Sequence, residues 1–229
     1  MEVVEHGEIA HKLFKTGIIM ITLHHLNQSR SFRILWLLEE IKQPYQLQRY
    51  YRDLKTHLAP ESLKNIHPLG KSPVIEWQGK VIAESGAIVE LLIQSLAPHL
   101  APDSNDAAYA DYLQWIHFAE SSAMVPFLMK TFNAIEVKHG TQLAFLEDYA
   151  QVEFDKVFGF LNDYLKDKTF LVDNRLTGAD FMMGFGLHGL IYDMGQGENY
   201  PHIKSYVEHL SSLPSWKAAE KIEQDTVLA

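Results

Sequence analysis

The spacing of apolar residues changes near residue 97, and this change constrains the fold more strongly than any other feature of the 229-residue chain. Up to that point, short segments rich in β-branched residues alternate with segments of helical periodicity, in the order β-α-β-α-β-β-α. This order predicts a small mixed sheet with helices on both faces. Beyond residue 105 nearly every apolar pattern has helical spacing, which predicts an all-helical region.

The stretch between these two regions is the predicted linker. Its sequence, "APHLAPDSND" (97–106), contains two prolines and little apolar periodicity. We therefore predict an α/β domain over residues 18–97 and an all-α domain over residues 105–229, and the first 17 residues fit neither. The helices predicted for the second domain span 107–131, 141–165, 177–194, 201–212 and 214–223, with "TFLV" (169–172) as the one candidate strand. Pro126 is expected to kink or end the first of these helices.

Composition excludes several functional classes. The net charge of −9, from 20 Lys and Arg against 29 Asp and Glu, argues against a general nucleic-acid-binding or anionic-membrane surface. No apolar run reaches the length of a transmembrane helix and no signal-peptide pattern is seen, so a cytoplasmic location is expected. Cysteine is absent, which excludes disulfides, thiolate nucleophiles and cysteine-ligated zinc. The twelve histidines lack HExxH or related spacing, so no metal site is predicted.

One motif matches a cofactor fingerprint in the wrong context. "GFGLHG" (184–189) has the GxGxxG spacing of dinucleotide-binding loops. It follows "TGAD" (177–180), which has the spacing of a capping box that opens a helix. We therefore predict that these glycines lie inside a helix and bind no dinucleotide.

A proline stands at the start of the predicted hairpin of the first domain. Val74 to Trp77 and Lys80 to Ala83 read as two strands around a turn, and Pro73 directly precedes the first. Proline cannot donate to a sheet ladder and is normally excluded from central strands. Pro73 therefore marks either a trans proline that protects a sheet edge or a special turn.

These features together resemble the glutathione transferase family, over about residues 18–223. The resemblance implies a thioredoxin-like N-terminal domain, in which Pro73 is cis, followed by an all-helical domain. It also implies a cytosolic, metal-free homodimer of detoxification metabolism. Such an enzyme needs no cofactor and adds the thiolate of its co-substrate, glutathione, to a hydrophobic electrophile. The motifs that carry the resemblance are "LNQSRSFRILWLLEE" (26–40), "HPLGKSPVIE" (67–76), "VIAESGAIVELL" (81–92) and "LTGADFMMGFGL" (176–187).

The resemblance also implies the residues that bind glutathione. The backbone of Ser72, before Pro73, would pair with the cysteinyl unit as in strand addition. Ser85, as the N-cap of its helix, and Glu84 would hold the γ-glutamyl end. Lys71 is a candidate partner for the glycyl carboxylate. Alternatively, Ser85 only caps its helix and Lys71 is a solvated loop residue.

The predicted catalytic residue is Ser29, because Ser29 and Arg33 match the Ser-x-x-x-Arg spacing of serine-type family members. A free thiol has a pKa of about 8.5, and lowering it by about two units requires roughly 2.7 kcal/mol of differential stabilisation. His25 stands where other members carry a tyrosine, so its ring is the alternative donor. Ser31 is expected to cap the following helix.

The predicted electrophile pocket comprises His25, Trp115, Phe118 and Ser122. The last three recur at helical spacing, and such a stripe can equally be ordinary helix core.

Two other functions stay open on the sequence. The chain could be a non-catalytic relative that binds ligands or a partner, or a glutathione-dependent peroxidase. The joint presence of Lys71, Pro73, Glu84 and Ser85 favours an enzyme, because a scaffold does not need all four.

Overall fold

The computed structural model describes residues 20–227 except 54, 139, 141 and 142, so the expectation about the first 17 residues lies outside the described part. The chain forms two compact units. One comprises the residues up to Ile88 together with those from Pro214 onward, and the other comprises Val89–Leu213.

A four-stranded mixed sheet forms the centre of the first unit, with strand order β2-β1-β3-β4. The central strand β1 pairs in parallel with β2 and antiparallel with β3, and β3 pairs antiparallel with β4. This arrangement confirms the predicted thioredoxin-like fold, with a short 3₁₀ helix in place of its second helix. The elements are β1 (Ile21–Leu26), α1 (Phe32–Ile41), β2 (Tyr45–Tyr50), the 3₁₀ helix (Glu61–Asn65), β3 (Val74–Trp77), β4 (Lys80–Ala83) and the start of α2 (Ser85–Leu96), which belongs to the second unit from Val89 onward.

The last helix, α8 (Pro214–Val227), packs against α1 in the first unit. Trp216 makes edge contacts with Phe32 and Trp36, with ring centroids 4.9 and 4.7 Å apart, and Ser215 Oγ accepts a hydrogen bond of 3.1 Å from the Trp36 indole. Aromatic pairs in this geometry stabilise a core beyond the area they bury. The predicted domain ranges, 18–97 and 105–229, therefore differ from the compact units. The sequence indicates that α8 has an apolar face, but it does not indicate which unit this face packs against.

The second unit is helical. Its helices are α3 (Tyr109–Phe118), α4 (Met124–Lys138), α5 (Ala144–Tyr164), α6 (Gly178–His188), continued by a π-helical turn (Gly189–Asp193), and α7 (Pro201–Ser212). The helix predicted over 107–131 is interrupted, but the expected kink or end at Pro126 is wrong, because the break lies earlier, between Phe118 and Met124. Pro126 lies in the first turn of α4, where its missing N–H is not needed. The candidate strand 169–172 forms only an isolated bridge between Val172 and Arg175.

The capping box at the start of α6 is confirmed: Thr177 and Asp180 cap each other's backbone N–H. Gly184 and Gly186 lie within α6, as predicted, so they cannot form a phosphate-binding turn. Within the described ranges, no helix combines the length and apolar character needed to cross a membrane.

Candidate functional site

The strand register brings three loops to one edge of the sheet. His24 near the end of β1 pairs with Val74, the first residue of β3, and Val74 pairs with Ala83, the last residue of β4. Because β3 runs antiparallel to both neighbours, the loops that follow β1, precede β3 and follow β4 lie at the same edge. These loops carry the predicted residues Ser29, Lys71, Ser72, Pro73, Glu84 and Ser85.

The loop before β3 contains the predicted cis bond, between Ser72 and Pro73. Pro73 stands one residue before the strand, so its missing N–H removes no hydrogen bond between strands. The Ser72 hydroxyl donates to the carbonyl oxygen of His24 at 2.8 Å, which fixes this loop against β1. Over the residues that the structure describes, no hydrogen bond uses the backbone N–H or C=O of Ser72. Both groups are therefore open to an extended ligand.

Glu84, and not Ser85, occupies the N-cap of α2, which corrects the prediction. The carbonyl oxygen of Glu84 accepts the first helical hydrogen bond, from the N–H of Ile88 at 3.0 Å. Glu84 has a φ of 70°, a left-handed conformation that is costly for a residue with a Cβ atom and that recurs at functional sites. Ser85 is the first residue of α2, and its hydroxyl accepts a hydrogen bond of 3.0 Å from the buried guanidinium of Arg33.

Lys71 is exposed, and no hydrogen bond or ion pair is seen for it among the described residues. This exposed position fits both a contact to the glycyl carboxylate of glutathione and a solvated loop lysine.

Ser29 is nearly buried, with 6% of its surface exposed, and it contacts Ser31. The two hydroxyl oxygens lie 2.8 Å apart, and the backbone N–H of Ser31 donates to Ser29 Oγ at 3.2 Å. Ser31 takes the N-cap position of α1 as predicted, but its hydroxyl makes no capping hydrogen bond. Instead it lies 2.8 Å from Nδ1 of His25.

His25 is completely buried, and both ring nitrogens face protein groups. Nδ1 faces Ser31, and Nε2 lies 2.6 Å from Oε2 of Glu223 on α8, an ionic contact without the alignment of a hydrogen bond. The other carboxylate oxygen of Glu223 accepts a hydrogen bond of 2.6 Å from the backbone N–H of Gln28. With no exposed surface, His25 lines no open pocket, contrary to its assignment to the electrophile site.

Arg52 also contacts the loop that bears Ser29. Its guanidinium donates to the carbonyl oxygens of Gln28, at 3.3 Å, and His57, at 2.9 Å. Burial lowers the pKa of Arg52, and Arg30 lowers it further while Glu223 opposes the shift. Sequence reasoning missed Arg52 and Glu223, since neither belongs to a motif and each reaches the loop only through tertiary packing.

The residues predicted for the electrophile pocket in the second unit separate into two groups. Trp115 is fully buried against Phe118 and Tyr164, with ring centroids 5.0 and 4.5 Å apart, so it belongs to the helical core. Its position in a helical stripe explains the mistaken assignment. Phe118 and the exposed Ser122 line a groove of about 500 Å³, whose other walls include Val125, Met129, Tyr149 and Phe160.

In the part of the chain that the structure covers, no three His, Asp or Glu side chains are grouped so as to hold a metal ion.

Comparison with known proteins assigns both halves of the chain. Residues 19–94 match the model of the glutathione S-transferase N-terminal domain, and residues 118–214 match that of the C-terminal domain. Glutathione S-transferase 3 of Schizosaccharomyces pombe is 35% identical over 225 residues, 91% of this chain and 90% of the relative. Glutathione S-transferase 1 of Saccharomyces cerevisiae is 32% identical over 222 residues, 88% of this chain and 94% of the relative.

Solved structures and a more distant relative extend the comparison. A crystal structure of a glutathione S-transferase from Actinobacillus pleuropneumoniae superposes with a TM-score of 0.80 at 33% identity, covering 90% of this chain and 93% of that one. Human elongation factor 1-gamma is 32% identical over 127 residues, which is 55% of this chain but only 28% of the relative. The two matched domains, the relatives that are similar over nearly their whole length and the shared fold lead to one conclusion: the chain belongs to the glutathione S-transferase family.

Proposed function

We propose that this protein conjugates the glutathione thiolate to hydrophobic electrophiles, with Ser29 as the donor that stabilises the sulfur anion. The observation that carries the proposal is the convergence of three loops at one sheet edge. One loop presents the Ser29 hydroxyl, the second presents the unpaired backbone of Ser72, and the third presents the first turn of α2.

Each part of glutathione has a matching group at this edge. The backbone of its cysteinyl unit would pair with the N–H and C=O of Ser72, as a one-residue strand addition. The γ-glutamyl carboxylate suits the unpaired N–H groups that begin α2 after Glu84, where the helix dipole also favours an anion. The Glu84 carboxylate would accept from the neighbouring ammonium group. Lys71 would face the glycyl carboxylate.

The reaction needs little beyond this arrangement. Ser29 and the N-terminus of α1 would favour the thiolate over the thiol, and the thiol proton would pass to solvent. The sulfur lone pair then forms a carbon–sulfur bond with the electrophile, which either loses a leaving group or takes up a proton at the adjacent atom. Holding the two reactants together supplies much of the remaining rate enhancement.

A cytosolic homodimer is the proposed assembly. Apolar side chains on α4 and α5 that are at least half exposed support it, because isolated globular subunits rarely display such contiguous surface. These side chains are Val125, Phe132, Phe145, Tyr149 and Val152. Sedimentation at micromolar concentration tests the assembly, and a monomeric mass would exclude it.

The test of function combines binding and turnover. The purified chain should bind immobilised glutathione and should turn over at least one member of a panel of aryl halides, epoxides, enals and hydroperoxides. Turnover of hydroperoxides alone would favour a glutathione-dependent peroxidase. Binding without any turnover would favour a non-catalytic role, which the similarity to elongation factor 1-gamma keeps as the second candidate.

A further inference from the structure

The Ser29 hydroxyl is one end of a chain of polar contacts that reaches a carboxylate on α8. Ser29 Oγ and Ser31 Oγ lie 2.8 Å apart, and Ser31 Oγ lies 2.8 Å from Nδ1 of His25. Nε2 of His25 lies 2.6 Å from Glu223, whose side chain is only 17% exposed. We propose that His25 and Glu223 are positioning residues that direct the Ser29 hydroxyl toward the glutathione sulfur, a role that rests on the proposed function of Ser29.

The protonation of His25 decides which way the Ser31 hydroxyl turns. A serine hydroxyl has one hydrogen and two acceptor positions. Ser31 Oγ accepts from the Leu26 N–H at 3.2 Å, so one acceptor position remains. A proton on Nδ1 of His25 fills that position and leaves the Ser31 hydrogen for Ser29. Without this proton, Nδ1 becomes an acceptor, and the Ser31 hydrogen turns toward the ring.

The direction of the Ser31 hydrogen then decides that of Ser29. Ser29 Oγ already accepts from the Ser31 N–H at 3.2 Å. When the Ser31 hydroxyl fills the second acceptor position, the hydrogen of Ser29 is available for the sulfur. When Ser31 donates to His25, the Ser29 hydrogen turns back to Ser31 and is lost to the ligand. The Leu26 carbonyl oxygen, 3.1 Å from Ser31 Oγ, competes for the Ser31 hydrogen in either state. Nδ1 without a proton is the stronger competing acceptor, and protonation of Nδ1 removes it.

Glu223 places a negative charge against the ring, with its Oε2 2.6 Å from Nε2 of His25. Arg49 pairs with His25 in the β1–β2 register, and Arg52 interacts electrostatically with both Arg30 and Glu223. Cations disfavour an imidazolium ion, whereas a carboxylate in contact with Nε2 favours it. A neutral residue at position 223 would remove this carboxylate from the ring, and with it the interaction that favours a proton on Nδ1.

Glu223 lies beyond residue 214, where the match to the C-terminal family domain ends.

The decisive variant is Glu223→Gln, which keeps the shape of the side chain and removes its charge. Glu220→Gln is the matched control, because Glu220 is on the same helix and has no polar partner among the described residues. The ultraviolet absorbance of the thiolate, followed against pH, gives the pKa of bound glutathione, and a separate titration gives its Kd. For Glu223→Gln we expect a Kd within about twofold of wild type and a bound-thiol pKa raised by about one unit. If the wild-type value lies about two units below 8.5, this means about threefold less thiolate at pH 7 and about tenfold less at lower pH.

The same loss should appear in kcat/KM near neutral pH and should disappear at alkaline pH, whereas Glu220→Gln should match the wild type. An unchanged thiol pKa in a folded Glu223→Gln protein that binds glutathione would overturn the proposal.

A second measurement uses the wild-type protein without glutathione. Nitrogen-15 NMR shifts of the His25 ring report whether Nδ1 carries the hydrogen that the proposal requires, and an Nδ1 without it would overturn the proposal even if Glu223→Gln failed to fold. Absence of glutathione binding by the wild type would instead overturn the proposed function. The ring shifts would still show whether Nδ1 of His25 donates to Ser31.

Discussion

Each compact unit contains a carboxylate inside a hydrogen-bond network, and the two networks end differently. Asp180, in the second unit, accepts from the backbone N–H groups of Leu171 and Thr177 and from the hydroxyls of Thr177 and Tyr206. All its partners are neutral donors within the core. Glu223, in the first unit, contacts an ionisable ring, and its network ends at the Ser29 hydroxyl, which shares with Ser31 a hydrogen bond in which either hydroxyl can donate.

This difference separates a structural role from a functional one. A network in which every group is satisfied stabilises one fold and has nothing left for a ligand. A network that ends at the edge of the sheet can transmit the state of a buried group to a bound molecule. Changes around Asp180 should therefore affect stability alone, and changes around Ser29 should mainly affect chemistry.

The largest expected effect is that of Asp180→Ala on stability. The change leaves buried backbone and hydroxyl donors unsatisfied, at about 1–3 kcal/mol for each group that cannot relax. We expect the free energy of unfolding, measured by denaturant titration, to fall by roughly 3–5 kcal/mol. The exposed Asp163→Ala serves as control. A loss below about 1 kcal/mol would contradict the structural role of this network.

The next effect is that of Ser29→Ala on the thiol. The bound glutathione should lose its hydroxyl donor, so the pKa of its thiol should rise by about one unit or more toward 8.5, and kcat/KM near neutral pH should fall about tenfold. Glutathione affinity should change little, whereas stability should fall by about 1 kcal/mol because the buried N–H of Ser31 loses its acceptor. All properties of the exposed control Ser104→Ala should stay unchanged. An unshifted pH profile of kcat/KM in the folded variant would exclude Ser29 as the donor.

A smaller effect is expected for Ser85→Ala, at the γ-glutamyl end of the site. The variant removes the acceptor of the buried Arg33 guanidinium and disturbs the first turn of α2. Calorimetric titration should show glutathione binding weakened by about five- to tenfold, corresponding to a loss of about 1 kcal/mol, with no shift of the bound-thiol pKa. A shift in that pKa would mean that binding and activation are not separate in this site.

The smallest effect is that of Tyr206→Phe, and its sign depends on pH. Burial raises the pKa of Asp180 to about 6, while hydrogen bonds from donors that include Tyr206 lower it. The unfolded value is about 3.9, so the contribution of Asp180 to stability is complete below about pH 4 and is lost as the pH rises through 6. Removing the Tyr206 hydroxyl destabilises the charged carboxylate more than the neutral acid.

Tyr206→Phe should therefore cost about 1 kcal/mol at neutral pH and less near pH 4, measured by denaturant titration at both values. Carboxyl NMR should show the Asp180 pKa shifted upward. Equal losses at the two values of pH would contradict the assignment.

The parts of this molecule that depend on local chemistry were predictable from sequence. Strand and helix periodicity gave the order of elements in the first unit, and the Thr177–Asp180 capping box located the start of α6 because both partners lie within one turn. The position of Ser85 was wrong by one residue, because nothing in the sequence indicates a left-handed backbone at a glutamate. The interruption expected at Pro126 lies before Met124 instead, because the apolar spacing continues through the break and Pro126 fits the first turn of the second helix.

The contacts that complete the candidate site were not predictable in this way. Gln28 and Glu223 are 195 residues apart in sequence, and neither side chain belongs to a motif. His25 was predicted to be a donor or a pocket residue because its place on β1 was known, whereas its neighbours on α8 were not. Trp115 was misassigned for a related reason: helical spacing identifies a face and does not say what covers it.

The return of α8 to the first unit has a consequence for synthesis of the protein. Domains generally fold as the ribosome releases them, N-terminal regions first. Here the loop that bears Ser29 emerges early, but the helix that holds it through Glu223 is translated only after the whole second unit. A nascent chain can therefore form its sheet long before its hydroxyl network, and catalytic competence would be gained only near the end of translation.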